Sequence, residues 1–308
     1  MYSLAHLSDP HLADWRIAGP RDLASKRVLG FLSWQLRRRR IHRAEVLDLL
    51  MANLHDSNPD HIAVTGDITN ISLPAEFDAA ARWLARLGTP DKVTVVPGNH
   101  DAYIDLPWQG SLSHWSAYMT GDDAAPSSPA GKSEFPFLRR RGPLAIVGVS
   151  TAAPMPYNSA GGILGAGQLE RLEACLAQLA GEPLCRVVLI HHPPQESATA
   201  ERKSLADAEA FRAVIRRAGA ELILHGHTHR AHLAKLDMPK GQAVVVGVPS
   251  ASALPHEGKH AARFHLFHIE QAGEGWRIEL EVRALAPSLD GFRRETRFVL
   301  GPVSPRAA

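Results

Sequence analysis

Seventeen histidines are spread over 308 residues, and seven of them, His11, His100, His191, His192, His225, His227 and His229, fall in four short clusters that also hold aspartate, asparagine and glycine. Imidazole and carboxylate together suit zinc, manganese, iron or cobalt. The two cysteines, Cys175 and Cys185, form no Cys-x-x-Cys pattern and join none of these clusters, so neither a thiolate zinc site nor a disulfide framework is supported. Taken singly the pieces are weak. Asp9-x-His11 reads equally well as a polar turn with an Asx-type hydrogen bond, and Gly66-Asp67 alone carries no weight. The run Gly98-Asn99-His100-Asp101 is stronger, since it sets an amide oxygen, an imidazole and a carboxylate in a row, with Asp101 placed to hold the His100 ring in one tautomer. His191-His192-Pro193-Pro194 puts an imidazole where prolines stop a strand, although a satisfied core histidine explains it as well. Gly226-His227-Thr228-His229 offers two imidazoles able to reach two neighbouring ions.

These residues must be positioned by something. Short Val, Ile and Leu runs closed by Gly, Pro or polar clusters predict buried strands at 2–8, 61–66, 92–97, 144–149, 186–191, 221–225 and 243–248. Amphipathic stretches predict helices at 43–57, 75–88, 168–180 and 204–218. Strand and helix alternate, which makes an α/β fold. Strands without intervening helices at about 264–269, 275–284 and 295–300 predict an antiparallel finish, so that the segment from about 243 to 300 completes a second sheet within a single domain of residues 1–308. The polar stretch 121–133 predicts a surface loop. Each histidine or aspartate cluster follows a strand, at the sheet edge where α/β folds bind ligands, so distant residues can share one site.

The ordered set Asp9-x-His11, Gly66-Asp67, Gly98-Asn99-His100-Asp101, His191 and Gly226-His227-x-His229 resembles the calcineurin-like metallophosphoesterases, with all five motifs present in order over residues 9 to 229. The resemblance implies a four-layer α/β/β/α sandwich of two mixed β-sheets with flanking helices, and a two-metal site at one sheet edge. It implies Asp9, His11, Asp67 and His229 for one divalent ion and Asp67, Asn99, His191 and His227 for the other, with Asp67 bridging. His191 rather than His192 is implied because the family ligand stands two residues before a proline, here Pro193. In that reading His100 and Asp101 would take the catalytic roles, His100 stabilising charge on phosphorus or protonating the departing oxygen, with two ions of Fe, Mn, Zn or Co supplying the attacking hydroxide. The chain looks closest to single-domain bacterial phosphodiesterases of the cyclic-nucleotide and glycerophosphodiester type, with a small phosphate ester as substrate. A lipid-precursor pyrophosphate hydrolase (UDP-diacylglucosamine type) is the enzymatic alternative. A non-catalytic metal-binding scaffold is the alternative from another class.

A formal net charge of +2, 45% hydrophobic and 21% charged residues fit a folded globular chain and exclude a polyelectrolyte or a disordered one. The start of the chain lacks the features of a secretion signal and no apolar run reaches membrane-span length, so a cytoplasmic protein is expected. Residues 12–42 read as an insertion, and residues 12–48 hold nine Lys/Arg against four acids. Wound as a helix, residues 26–37 gather Val28, Leu29, Phe31, Leu32 and Leu36 on one side. Three readings compete: a helix packing its apolar side on the sandwich, a lid presenting arginines to substrate, or a membrane-surface element at residues 24–40 that brings the protein to the inner membrane or a lipid headgroup. Nucleic acid is a weaker partner, for want of aromatic stacking residues beside the arginines. A homodimer through the C-terminal strands and Trp276 is a further expectation.

Overall fold

The computed structural model describes residues 1–12, 20–23, 25–123, 135–195, 200–256, 258–273 and 275–303. The loop expected at 121–133 therefore lies outside the described residues from position 124 on, as do residues 13–19 and 24 of the insertion. Along the chain run β1 (Tyr2–Leu7), α1 (Arg27–Ser33), a π-helical turn (Trp34–Arg38), α2 (Arg39–Ile41), α3 (Ala44–Ser57), β2 (His61–Val64), α4 (Pro74–Leu87) and β3 (Val93–Val95). Then come β4 (Phe137–Arg141), β5 (Leu144–Gly148), α5 (Ala166–Leu179), β6 (Cys185–Leu189), α6 (Ala208–Ala218) and β7 (Leu222–His225). The chain ends with β8 (His232–Asp237), β9 (Gln242–Gly247), β10 (Arg263–Ala272), β11 (Gly275–Leu285) and β12 (Phe292–Val303).

Two mixed six-stranded sheets result, in the orders β12-β11-β10-β1-β2-β3 and β4-β5-β6-β7-β9-β8. Flanking helices complete the expected α/β sandwich. Strands β1, β2 and β3 run parallel to one another in the first sheet, as do β5, β6, β7 and β9 in the second. Their near-continuous apolar sequences are buried on both faces, as parallel strands under helices require. Pro74 opens α4, where its missing N–H is no loss, and Glu76 in the first turn accepts the Leu73 N–H at 2.9 Å. The helix expected from 204 begins only at Ala208, because the Asp207 carboxylate is turned to the N–H groups of Leu164 and Gly165.

Two expectations are corrected, and two strands have no counterpart among those expected. Only β9 of the C-terminal strands joins the second sheet; β10 pairs antiparallel with β1, so β10, β11 and β12 extend the first sheet instead. Periodicity shows that a strand exists but not which edge it will find. Trp276, expected at a surface, packs into the core and is only 6% exposed. The charged edge strands β4 and β8 escape a hydrophobic-run criterion because only alternate residues face inward.

Candidate metal centre

Five turns at the carboxyl ends of β1, β2, β3, β6 and β7 carry the sequence-predicted ligands, three from one sheet and two from the other. The backbone there is forced. Asp9, His11, Asp67, His227 and His229 have φ between 46° and 67°, five of the eight non-glycine residues with positive φ among those described. Each such residue costs about 1–3 kcal/mol and persists only where surrounding structure holds it. The holding bonds are visible: Asp9 N–H donates to Gly66 O, His11 N–H to Asp67 O, and Gly226 N–H to His191 O. At Gly98 a Cβ would run into the Asp67 carboxylate and the His191 ring, and at Gly226 into Ser8 and Asp9, so both turns need glycine for close approach.

The donors meet in two groups. Asp9 Oδ1 lies 3.1 Å from His229 Nε2 and 3.8 Å from His11 Nε2, and those two nitrogens are 3.2 Å apart. Across the centre, His191 Nε2 lies 3.2 Å from Asn99 Oδ1 and 3.4 Å from Asp67 Oδ2. Asp9, Asp67 and His191 connect the groups, each offering an atom within 4.8 Å of the others. His11 and His191 each anchor Nδ1 on a backbone carbonyl, Thr69 O at 3.3 Å and Thr65 O at 2.6 Å, which turns Nε2 inward as a ligating histidine requires. His192 differs: Nδ1 bonds Thr151 Oγ1 and Nε2 bonds Ala160 O, so both its nitrogens are engaged. His227 sits with its ring 5.2 Å from His191, its backbone N–H on Asp9 Oδ2 and its Nε2 donating to Lys203 O, leaving Nδ1 with the lone pair.

The electrostatics fit cations. Burial opposes charge on Asp9 and Asp67, yet His229 beside the one and His191 beside the other hold both below the usual carboxylate range. Burial also opposes charge on His191, but Asp67 and Asp9 push it up to about 9, so the site draws positive charge onto Nε2. Burial, then the Arg38 guanidinium, holds His11 well below the ordinary histidine value, and its Nε2 lone pair is available. Paired carboxylates, an amide oxygen and inward imidazoles of this kind suit two hard-to-borderline divalent ions.

Two contributors lie outside the motifs. Arg38 reaches in from the π-helical turn, with Nη2 2.9 Å from His11 Nε2 and Nη1 3.2 Å from His100 Nε2, so a guanidinium already stands where the donors converge. His42 places its ring 4.7 Å from His11 and 5.5 Å from His229, with Nδ1 held by Ser252 Oγ at 2.8 Å, and completes a three-histidine group. The Arg37 to Arg40 run was a signal that some arginine could reach substrate, but nothing in spacing singled out Arg38, and His42 has no motif at all.

The expected pairing of Asp101 with His100 is also corrected. Asp101 turns to the backbone, accepting from Thr69 N at 2.8 Å and Gly98 N at 2.9 Å, and the His100 Nδ1–H is held instead by the Asn70 carbonyl. Two buried amide donors in reach outcompete the imidazole for that carboxylate. Burial and then the nearby Asp67 raise Asp101 to about 7, while burial and then Arg38 lower His100 to about 4.

Two lobes open from this centre. The larger, about 590 Å³, is lined by Arg37, Arg38, Arg202, Lys203, Arg230 and Lys259, with Asp67 the sole carboxylate among its lining residues. The smaller, about 280 Å³, shares Asn99, His100 and Arg202 with it and continues past Tyr103, Tyr157 and Asn158.

In structure, the chain is similar to a dimetal phosphatase of Danio rerio, at 15% identity and TM-score 0.62 over 99% of each chain. It is similar also to a purple acid phosphatase from yellow lupin (Lupinus luteus) seeds, at 12% identity and TM-score 0.59, with 97% of this chain matched and 53% of that one. No curated protein matches the chain in sequence. The family model for calcineurin-like phosphoesterases matches residues 2–231, all five turns included, and the chain belongs to that family.

Proposed function

We propose that the chain hydrolyses a phosphodiester at two divalent ions, one held by Asp9, His11, Asp67 and His229 and the other by Asp67, Asn99, His191 and His227. The observation that carries this is the meeting of donors from five separate turns, with Asp9, Asp67 and His191 within 4.8 Å of one another at its middle. When bound, such ions supply Lewis acidity and a nucleophile from water at neutral pH. The protein does the rest. Arg38 offers a planar fork to phosphoryl oxygens, and a phosphoryl group there offsets the guanidinium charge that, after burial, lowers His100, so that Nε2 can take up the proton it passes to the departing oxygen. Asn70 keeps the His100 ring turned for that task through Nδ1. The two lobes support a diester over a monoester, because a diester has two substituents and two spaces adjoin Asn99 and His100.

A second reading, cleavage of a lipid-precursor pyrophosphate, is favoured by the six cations of the larger lobe. Lys203 and Lys259 are lowered by burial and then by the cations around them, as expected where six cations line a lobe with a single lining carboxylate. Such a lobe suits an anionic group next to the scissile phosphate. Metal analysis of the purified protein and hydrolysis of bis(4-nitrophenyl) phosphate, 4-nitrophenyl phosphate and a nucleoside diphosphate ester test both readings. The expected result is two ions per chain and kcat/KM at least roughly tenfold higher for the aryl diester than for the monoester. Preference for the diphosphate ester selects the second reading. Absence of turnover with Mn, Fe, Zn and Co alike, in protein that binds metal, leaves the scaffold alternative.

A further inference from the structure

The amphipathic helix of the insertion is turned the opposite way from the plain expectation. Arg27, Gly30 and Trp34 face the protein: the buried Arg27 donates to the carbonyls of Ile71 and Ser72, Gly30 lies against Ile71 and Tyr103, and Trp34 is 3% exposed. Its aliphatic residues face out, with Val28, Leu29, Leu32 and Leu36 exposed by 41 to 75%. Spaced at i, i+1, i+4 and i+8, they share one helical face. No acid occurs between Asp22 and Glu45, whereas Arg37, Arg39 and Arg40 close the same segment and are exposed.

We propose that this face docks the protein on a bilayer surface rich in anionic headgroups, with the leucines in the acyl boundary and the arginines on lipid phosphates. Charge complementarity selects this occupant. A second copy seated face to face would bring two arginine runs together, while an anionic bilayer neutralises them and accepts an aliphatic strip. The location is apt, since Ser33, Arg37, Arg38 and Ile41 of the same segment line the larger lobe of the metal centre. Docking would set the mouth of that lobe at headgroup depth. The inference stands apart from the catalytic reading, because its test changes Leu32, Leu36, Arg39 and Arg40, which are not among the lining residues of either lobe, and reads binding.

The experiment is co-sedimentation of the full chain with vesicles of phosphatidylcholine alone and with about one-third phosphatidylglycerol. The wild type is expected on the anionic vesicles and not on the neutral ones, with binding that falls as salt rises. The double variant Leu32→Asp/Leu36→Asp is expected to lose at least roughly tenfold in partition, with hydrolysis of soluble bis(4-nitrophenyl) phosphate unchanged. Arg39→Gln/Arg40→Gln is expected to weaken binding and flatten the salt dependence. Leu32→Ser/Leu36→Ser serves should the aspartates disturb the fold. Failure of the wild type to bind anionic vesicles overturns the proposal, as does equal binding by the wild type and the leucine variants. Light scattering that shows a dimer which these variants dissolve also overturns it, in favour of a second copy as occupant.

Discussion

Glu76 is fully buried, and its carboxylate binds three backbone N–H groups, Asn70 through Oε1 at 2.9 Å and Ile71 and Leu73 through Oε2 at 3.1 and 2.9 Å. It touches no candidate ligand. Yet the segment it gathers includes Asn70, whose carbonyl holds the His100 ring. Glu76→Ala would strand three buried donors at about 1–3 kcal/mol each, a loss comparable with the whole stability of a domain. Glu76→Gln is the informative change. Its single acceptor oxygen keeps the two bonds made by Oε2 if the amide nitrogen turns to Asn70, so one donor loses its partner and about 1–3 kcal/mol is lost at that point. Tm then falls by about 2–8 °C. If that energy is what aligns His100, kcat on an aryl phosphodiester drops roughly 5- to 100-fold. Metal content and KM stay near wild type, since neither the ligands nor the lobes move. Melting by circular dichroism, metal analysis and steady-state kinetics on one preparation separate these effects. Wild-type kcat in a variant whose Tm has dropped, or a fall in kcat matched by loss of metal, would refute the chain from Glu76 through Asn70 to His100.

Four further outcomes follow from the geometry. Asp67→Asn removes the carboxylate assigned to both ions, and elemental analysis should show at least one ion lost per chain; two ions retained with normal turnover contradicts the bridging assignment. Gly98→Ala sets a methyl against Asp67 and His191, and should lower metal content while leaving the far-UV spectrum intact, which a metal titration of the purified variant checks. Arg38→Met should raise KM roughly tenfold or more for a substrate with a second phosphate and less for bis(4-nitrophenyl) phosphate; equal effects on both would deny Arg38 a selective role. Arg139 is 3% exposed and donates to the carbonyls of Pro90, Val93, Ala117 and Thr120 at 2.5 to 2.9 Å. Arg139→Met should therefore cost about 2–5 kcal/mol, seen as a Tm lowered by about 5–15 °C with metal content unchanged.

Much of the centre was readable along the chain because its chemistry is written in consecutive residues. A strand that must be buried is a run of Val, Ile and Leu, so the clusters that hold Asp9, Asp67, Asn99, His191 and His227 could be placed at strand ends from position, and the resemblance then named the ligands within them. The tight turns also leave a mark, since only glycine allows Gly98 and Gly226 to approach so closely. Among the described residues, no helix is long and apolar enough to cross a membrane, as the absence of a long apolar run foretold.

What escaped depends on partners far off in sequence. Arg38 and His42 enter the centre because a π-helical turn and a return to Ala253 and Ser252 aim them there, and neither event has a local signature. Asp101 could have held His100 or the backbone, and only the nearness of two amide donors chose. The strands from Arg263 onward announced themselves, but pairing with β1 is a long-range choice. Periodicity likewise located the apolar side of the inserted helix without saying which side meets water, because that depends on the surface it lands on. Composition and local pattern determine which residues can ligate and which segments must be strands; direction, pairing and exposure are set by contacts between segments that no single stretch contains.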